Sequence, residues 1–260
     1  MNSPPRFAYV QARIQSRYGS RAKTDVWLKL HTIDDPGSYL QVARQTPLRP
    51  WVLGINSTHS SHSVELALRQ KYRAHVDEVA RWMPGAWQSP IRWIKRLADL
   101  PILQYLAEGG DPINWMKSDP AIDGFTANEP ALRLQAMRDA GCTSLVEAWQ
   151  QDDLLIAGWL RHWNNICPAT KAFKQGLHQM ELLLHAQNQS SGWQADAGLP
   201  AEYADIENRL RRIFRRYSFQ PAAVCAYLAS IAIDVQHIRS NLMQRMLFPA
   251  GDNYINAIAT

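Results

Sequence analysis

The sequence predicts an all-α protein, a multi-helical bundle of about nine or ten helices. Apolar residues recur at three- and four-residue spacing along almost the whole chain, and no stretch alternates polar and apolar residues as a strand would. The 260 residues are 46% hydrophobic and 20% charged, which is typical of a globular protein that buries an ordinary core. Prolines and glycines separate the periodic stretches and mark the helix ends.

The first part of the chain contains four predicted helices, over residues 6–20, 25–32, 38–46 and 63–82. The first and the last of these carry apolar stripes on one helical face. The members of the stripes are Phe7, Val10, Ile14 and Tyr18, then Val64, Leu68, Tyr72, Val76 and Val79 or Ala80. Ser60 or Ser61 is expected to cap the long fourth helix. Ser89-Pro90 predicts the start of a further helix that kinks at Pro101.

Residues 111–129 are rich in proline and short polar side chains, which predicts a long connection. It would join an N-terminal helical portion, 1–110, to a C-terminal one, 130–260, unless the chain forms a single continuous helical domain. Helices are predicted there over residues 130–140, 144–165, 170–187, 202–217 and 222–248. The last carries a continuous apolar stripe, made of Val224, Tyr227, Leu228, Ile231, Val235, Ile238 and Leu242.

Charge and cysteine content limit the compartment and the partners. A formal net charge of +5 and a pI near 9.2 leave nucleic acid, an anionic membrane surface or an acidic protein as partner classes. Three cysteines without a CxxC pair indicate buried thiols in a reducing compartment. The N-terminus lacks the apolar run of a secretion signal, and the longest uncharged stretch, 217–233, is too short to span a bilayer. We therefore expect a cytoplasmic protein, or one held on a membrane only through a complex.

Motifs for catalysis are absent from the sequence. It contains no GxxxxGK[ST], GxGxxG, HExxH or GxSxG. His59 and His62 in a serine-rich loop could ligate zinc, but no carboxylate or cysteine nearby completes the set, and solvated histidines are the simpler interpretation. We expect no enzyme activity, cofactor, metal or small-molecule substrate. An enzyme whose site is assembled from distant residues, such as the histidines, stays an alternative.

The most distinct charged feature lies near residue 210. At 100° per residue, Ile206, Leu210, Ile213, Phe214 and Tyr217 share one face of a helix, and five arginines occupy the opposite face. We call this set the arginine face: Arg209, Arg211, Arg212, Arg215 and Arg216. It predicts either a solvated surface helix, a contact with an acidic protein, or a site for anionic lipid or nucleic acid. The absence of lysine favours geometric pairing with carboxylates or phosphates.

One charged residue lies at the edge of the last apolar stripe. Asp234 follows Ile231 by three residues, and no lysine or arginine lies four residues away on either side. A partly buried carboxylate requires a cation, so we expect Asp234 to form a structural ion pair with Arg13 or Arg17 of the first helix. The alternative places Asp234 at the water boundary.

Several segments in order resemble the C subunit of A/V-type rotary ATPases, the d subunit of the eukaryotic enzymes. The opening 7–17 is similar to a first helix of the form Tyr-x-x-Ala-Arg. The matches continue through Asp35–Leu40 to Thr46-Pro47, then Val64–Arg69, then Asp99–Leu106, and end in Pro221–Arg239, where Ala226-Tyr227-Leu228 is followed by Asp234 and Ile238-Arg239. The family's Lys-Glu after Ala-Tyr is replaced by Ser230-Ile231-Ala232, and its members are longer.

The resemblance implies a funnel-like, all-helical body that lies on the membrane rotor ring and receives the central shaft. Such a subunit performs no chemistry and joins the soluble and membrane sectors. Its partners would be protein subunits of a membrane rotary ATPase. The alternatives are a helical adaptor for other proteins and a basic nucleic-acid-binding protein.

Overall fold

The computed structural model describes residues 7–189 and 201–247 and is all-helical, with no β-strand in those two ranges. Within them, the α-helices are numbered α1 to α14 in chain order: Ala8–Gly19, Thr24–His31, Pro36–Ala43, Arg49–Val52, Ser61–Trp82, Gly85–Trp93, Leu100–Ala107, Asn114–Lys117, Pro130–Asp139, Thr143–Gln150, Leu155–Ile166, Lys171–Gln189, Ala201–Arg216 and Pro221–Leu247. Two 3₁₀ helices cover Ile94–Ala98 and Asp123–Thr126. The all-α prediction is therefore confirmed.

The predicted number of helices is too low, because short helices escape the periodicity and one predicted helix is broken in two. The helices α4 and α8 have four residues each, about one turn, so they show no stripe. The predicted helix over 144–165 is two helices, α10 and α11, and Asp152 lies between them in the left-handed region at φ 55°. Four polar residues, 150–153, interrupt the apolar spacing at this turn, and apolar residues resume at Leu154, directly before α11.

The start predicted at Ser89-Pro90 is wrong. Helix α6 begins at Gly85 and contains Pro90 in its interior, although proline there removes one backbone hydrogen bond. Trp87, which is fully buried, lies in the extra turn, and we attribute the earlier start to its burial. Pro101 does not kink a continuous helix; the 3₁₀ helix intervenes, and Pro101 lies in the first turn of α7.

The apolar stripes predicted for the long helices are buried as expected. All seven stripe residues of α14 are buried, and so are those of α5. Among the described residues, α14 is the one helix long and apolar enough to cross a membrane, with a mean hydropathy of 1.3 over its best 18-residue window. Since 67% of that window is buried inside the protein, α14 has the packing expected of a core helix.

The chain divides into two compact units. The first comprises the residues up to Ile14 together with Arg73–Ser230, and the second comprises Gln15–Tyr72 together with the residues from Ile231 onward. The division into portions 1–110 and 130–260 stays a prediction. Residues 111–129 belong to the first unit, where Asp119 is fully buried and accepts hydrogen bonds from Arg73.

The core of the first unit is rich in aromatic rings. Phe7 makes edge contacts with Trp87 and Phe173 at centroid distances of 6.3 and 5.3 Å. The indole N–H groups of Trp93 and Trp159 each donate to the main-chain oxygen of the other residue, at 3.2 and 3.3 Å. The two indoles thus find hydrogen-bond partners where α6 meets α11, and these bonds link the two helices.

In the second unit, an arginine side chain caps the C-terminus of a helix. Arg245 of α14 donates from its Nη2 to the main-chain oxygens of Leu30 and His31 at the C-terminus of α2, at 3.1 and 3.3 Å. Its guanidinium also lies 4.9 Å from the centroid of the Tyr39 ring. Terminal helix carbonyls lack partners within the helix, so a cation at this position satisfies them and complements the helix dipole.

Candidate functional site

The arginine face has the geometry that the sequence predicts. In α13, Leu210, Ile213 and Phe214 are buried, and Tyr217 is buried directly after the helix ends. The arginines at 209, 211, 212, 215 and 216 are all exposed. The helix therefore buries its apolar side in the core and exposes a row of guanidinium groups to solvent on the opposite side.

Among the described residues, few groups neutralise this surface. Arg209 pairs with Asp205 one turn earlier, Nε to Oδ2 at 2.7 Å, and both side chains are about half exposed. Arg216 lies over the ring of Tyr217 at 5.7 Å, and Arg212 donates to the carbonyl of Asn208 at 3.4 Å. In the part of the chain that the structure describes, Arg211 and Arg215 have no ion-pair partner. Residues 209–216 contain no carboxylate.

This arrangement is suited to binding. Guanidinium groups offer several N–H donors in a planar fork that matches carboxylate and phosphate oxygens. A row of them on one rigid helix can meet an acidic surface without rearrangement of the backbone. Nothing in the row supplies a nucleophile or a general base, since arginine stays protonated.

The expected ion pair of Asp234 has a different recorded partner. Asp234 is 4% exposed, and its carboxylate takes two hydrogen bonds from Arg21, from Nε at 2.7 Å and from Nη2 at 2.9 Å. Arg21 lies just after α1, beyond the two positions proposed from the sequence. The guanidinium of Arg13 lies over the rings of Tyr9 and Trp82, at 5.0 and 4.7 Å. A pair of Asp234 with Arg13 or Arg17 stays a prediction.

The histidine loop contains no metal site that the described residues complete. Within those residues, no group of three or more His, Cys, Asp or Glu side chains is placed to hold a metal ion. Nδ1 of His59 accepts a 3.4 Å hydrogen bond from the backbone of Asn56, and His62 is exposed. Ser60 accepts from the backbone N–H of Ser63 at 3.2 Å, which confirms the predicted cap of α5.

The three cysteines are not activated thiols. Burial raises the pKa of Cys142 and of Cys225, and raises that of Cys167 to about 12. Because the thiolate is the nucleophilic form, these side chains stay protonated and unreactive at neutral pH. Cys142 and Cys225 are buried, as the sequence predicts, whereas Cys167 is only half-buried.

One basic cluster was missed by the sequence analysis. Arg92, Lys95 and Arg96 lie on α6 and the 3₁₀ helix that follows it, and they line a cavity of about 250 Å³ together with Arg73 and His162. The signal for it was present, since residues three and four apart share a helix face and three cations follow that spacing. What the sequence could not show is that Arg73 and His162 come to the same place.

Comparison with known proteins gives no relative. No family model, no curated protein and no solved structure matches this chain.

Proposed function

We propose that this protein is a non-catalytic coupling subunit, of the kind that the rotary ATPase C (d) subunit represents, and that it binds its partners through the arginine face. The observation that carries the proposal is the row of exposed arginines on α13, of which Arg211 and Arg215 lack an ion-pair partner among the described residues. Unpaired guanidinium groups on a rigid helix are suited to acidic surfaces of another protein.

The resemblance noted in the sequence supplies the class of partner. The segments that carry it fall largely in helices, as a helical subunit requires: Tyr9–Arg13 in α1, Val64–Arg69 in α5, Ile102–Leu106 in α7 and Ala226–Arg239 in α14. A funnel-like arrangement, the central shaft and the membrane rotor ring as partners, and a cytoplasmic position peripheral to the membrane all belong to this proposal.

A charge-reversal variant tests the arginine face. We expect Arg211→Glu with Arg215→Glu to fold normally, because both side chains are exposed, and to recover partner proteins at least about tenfold less efficiently, because two attractive contacts become repulsive. The measurement is quantitative mass spectrometry of proteins captured from host membranes by the tagged chain, with circular dichroism as the check on folding.

The matched control reverses two other exposed arginines. Arg138→Glu with Arg161→Glu changes the net charge equally but lies on α9 and α11. Partner recovery close to wild type is expected for this control. An equal loss of partner recovery in both double variants would show that the arginine face is only a solvated surface. So would full partner recovery by Arg211→Glu with Arg215→Glu.

A further inference from the structure

The side chains that line the basic cavity of the first unit carry more positive than negative charge. It is lined by four cationic side chains, Arg73, Arg92, Lys95 and Arg96, and by a single carboxylate, that of Asp99. Like charges that converge on one cleft repel each other unless anions compensate them. If carboxylates of the protein neutralise every cation, the cleft has no need of a bound anion. If they do not, an anion can bind there.

The inner half of the cluster is compensated. Arg73 donates to both carboxylate oxygens of Asp119, at 2.7 and 2.8 Å, and to Asp99 at 2.7 Å. Arg96 reaches the other oxygen of Asp99 at 3.3 Å. Asp99 and Asp119 are both almost fully buried, so these bonds hold the deep cations in fixed positions.

The outer half is not compensated to the same degree. Lys95 donates hydrogen bonds to both carboxylate oxygens of Asp77, at 2.8 and 2.9 Å. The same carboxylate lies 3.9 Å from the Nε of Arg92, which is beyond hydrogen-bond distance. Four cations are thus paired with three carboxylates, and the ion pair of Arg92 is the longest of the four. Its side chain is 43% exposed, which leaves donor groups accessible at the mouth of the cavity.

Neutral groups complete the wall. His162 lies against the ring of Trp93, with 4.0 Å between the ring centroids, and Ser89 contributes to the lining beside them. Burial lowers the pKa of His162, so the imidazole is neutral at pH 7 and can donate one N–H. A flat aromatic surface and two neutral polar side chains thus face the same space as the cations.

We propose that this cavity binds a phosphate group, as inorganic phosphate or as the head of a small phosphate ester. Guanidinium groups fit phosphate oxygens in pairs, and Arg92 at the mouth of the cavity has the most exposed side chain of the three arginines. The cleft has a volume of about 250 Å³, which leaves room for a phosphate group beside these side chains. The inference is independent of the coupling function proposed for the arginine face.

Calorimetric titration of the full-length protein with sodium phosphate, in a buffer free of other oxyanions, tests the site. Wild type is expected to give saturable binding. Arg92→Gln is expected to weaken it by about tenfold or more, because a charge-assisted hydrogen bond is lost while the buried bonds of Arg73 are unaffected.

Arg161→Gln is the matched control. Arg161 is 45% exposed, forms a similar 3.9 Å ion pair with Asp153, and does not line the cavity. Its loss should leave phosphate affinity within about twofold of wild type, as expected for an exposed charge outside the site. Absence of saturable binding to wild type, or an equal loss in both variants, would overturn the proposal.

A second titration distinguishes the two sources of the phosphate group. With glycerol phosphate as the probe, binding tighter than that of inorganic phosphate supports an ester whose organic part contacts the cavity wall. Weaker binding of the ester supports the free ion. Either result supports the site only if Arg92→Gln weakens binding of the ligand that binds more tightly to wild type.

Discussion

Among the described residues, four buried carboxylates, Glu65, Asp99, Asp119 and Asp234, each bind an arginine that is distant in sequence. Asp234 pairs with Arg21, 213 residues away, and Asp119 pairs with Arg73, 46 residues away. Glu65 is bound by Arg69 one turn later and also by Arg239 on α14. Burial by itself raises the pKa of Glu65, but the two guanidinium groups outweigh it and hold the pKa below its usual range.

Replacing Asp234 measures what such a pair contributes. Asp234→Asn is expected to lower the free energy of unfolding by about 3 kcal/mol, because it leaves the nearly buried Arg21 without its counter-charge. Chemical denaturation monitored by circular dichroism is the measurement.

Asp205→Asn is the control for this variant, since Asp205 also lies 2.7 Å from an arginine Nε but is 52% exposed. It should lose no more than about 0.5 kcal/mol. Similar losses in the two variants would show that burial does not decide the strength of these pairs.

The sequence predicted the need for a cation at Asp234 but proposed Arg13 or Arg17 for it, and the structure records Arg21. The reasoning was local: a carboxylate on the edge of an apolar stripe is visible in the sequence, whereas its partner depends on how α14 meets the end of α1. Arg245 was missed for the same reason, because the carbonyls that it caps at the end of α2 lie more than 200 residues earlier.

Among the helices, the long amphipathic ones were predicted and the breaks were not. Helices α1, α5, α13 and α14 lie within a few residues of their predicted bounds, since each buries most of a regular stripe; Tyr18 of α1 and Ile206 of α13 are half-buried. The turn between α10 and α11 depends instead on packing. Gly158 brings α11 so near to α10 that a Cβ there would lie 2.4 Å from the main-chain oxygen of Ser144.

Gly158→Ala tests this packing. The added methyl group would meet backbone that cannot move away easily, so we expect a loss of about 2 kcal/mol in the free energy of unfolding. Thermal and denaturant unfolding of the full chain are the measurements.

Gly124→Ala is the paired control, because its nearest neighbour would be a side-chain carbon at 3.8 Å, an ordinary contact. Little or no loss is expected there. An undiminished stability of Gly158→Ala would mean that α10 and α11 do not pack as closely as described.

For the whole molecule, the two candidate sites differ in how far the sequence could reveal them. The arginine face lies on a single helix, so spacing alone places its five members on one side. The basic cavity draws on α5, α6, the following 3₁₀ helix and α11, from Arg73 to His162, and only folding brings these together. A sequence pattern identifies sites built on one element, and it misses those assembled from several.

We propose that the arginine face couples this protein to a membrane rotary ATPase. The most direct measurement places a photo-crosslinking amino acid at Asn208, an exposed position of α13 beside that face, and identifies crosslinked proteins after purification from gently solubilised host membranes. We predict crosslinks to rotor-ring or central-shaft subunits. Recovery of the protein entirely in the soluble fraction, with no such subunit attached, would contradict the claim.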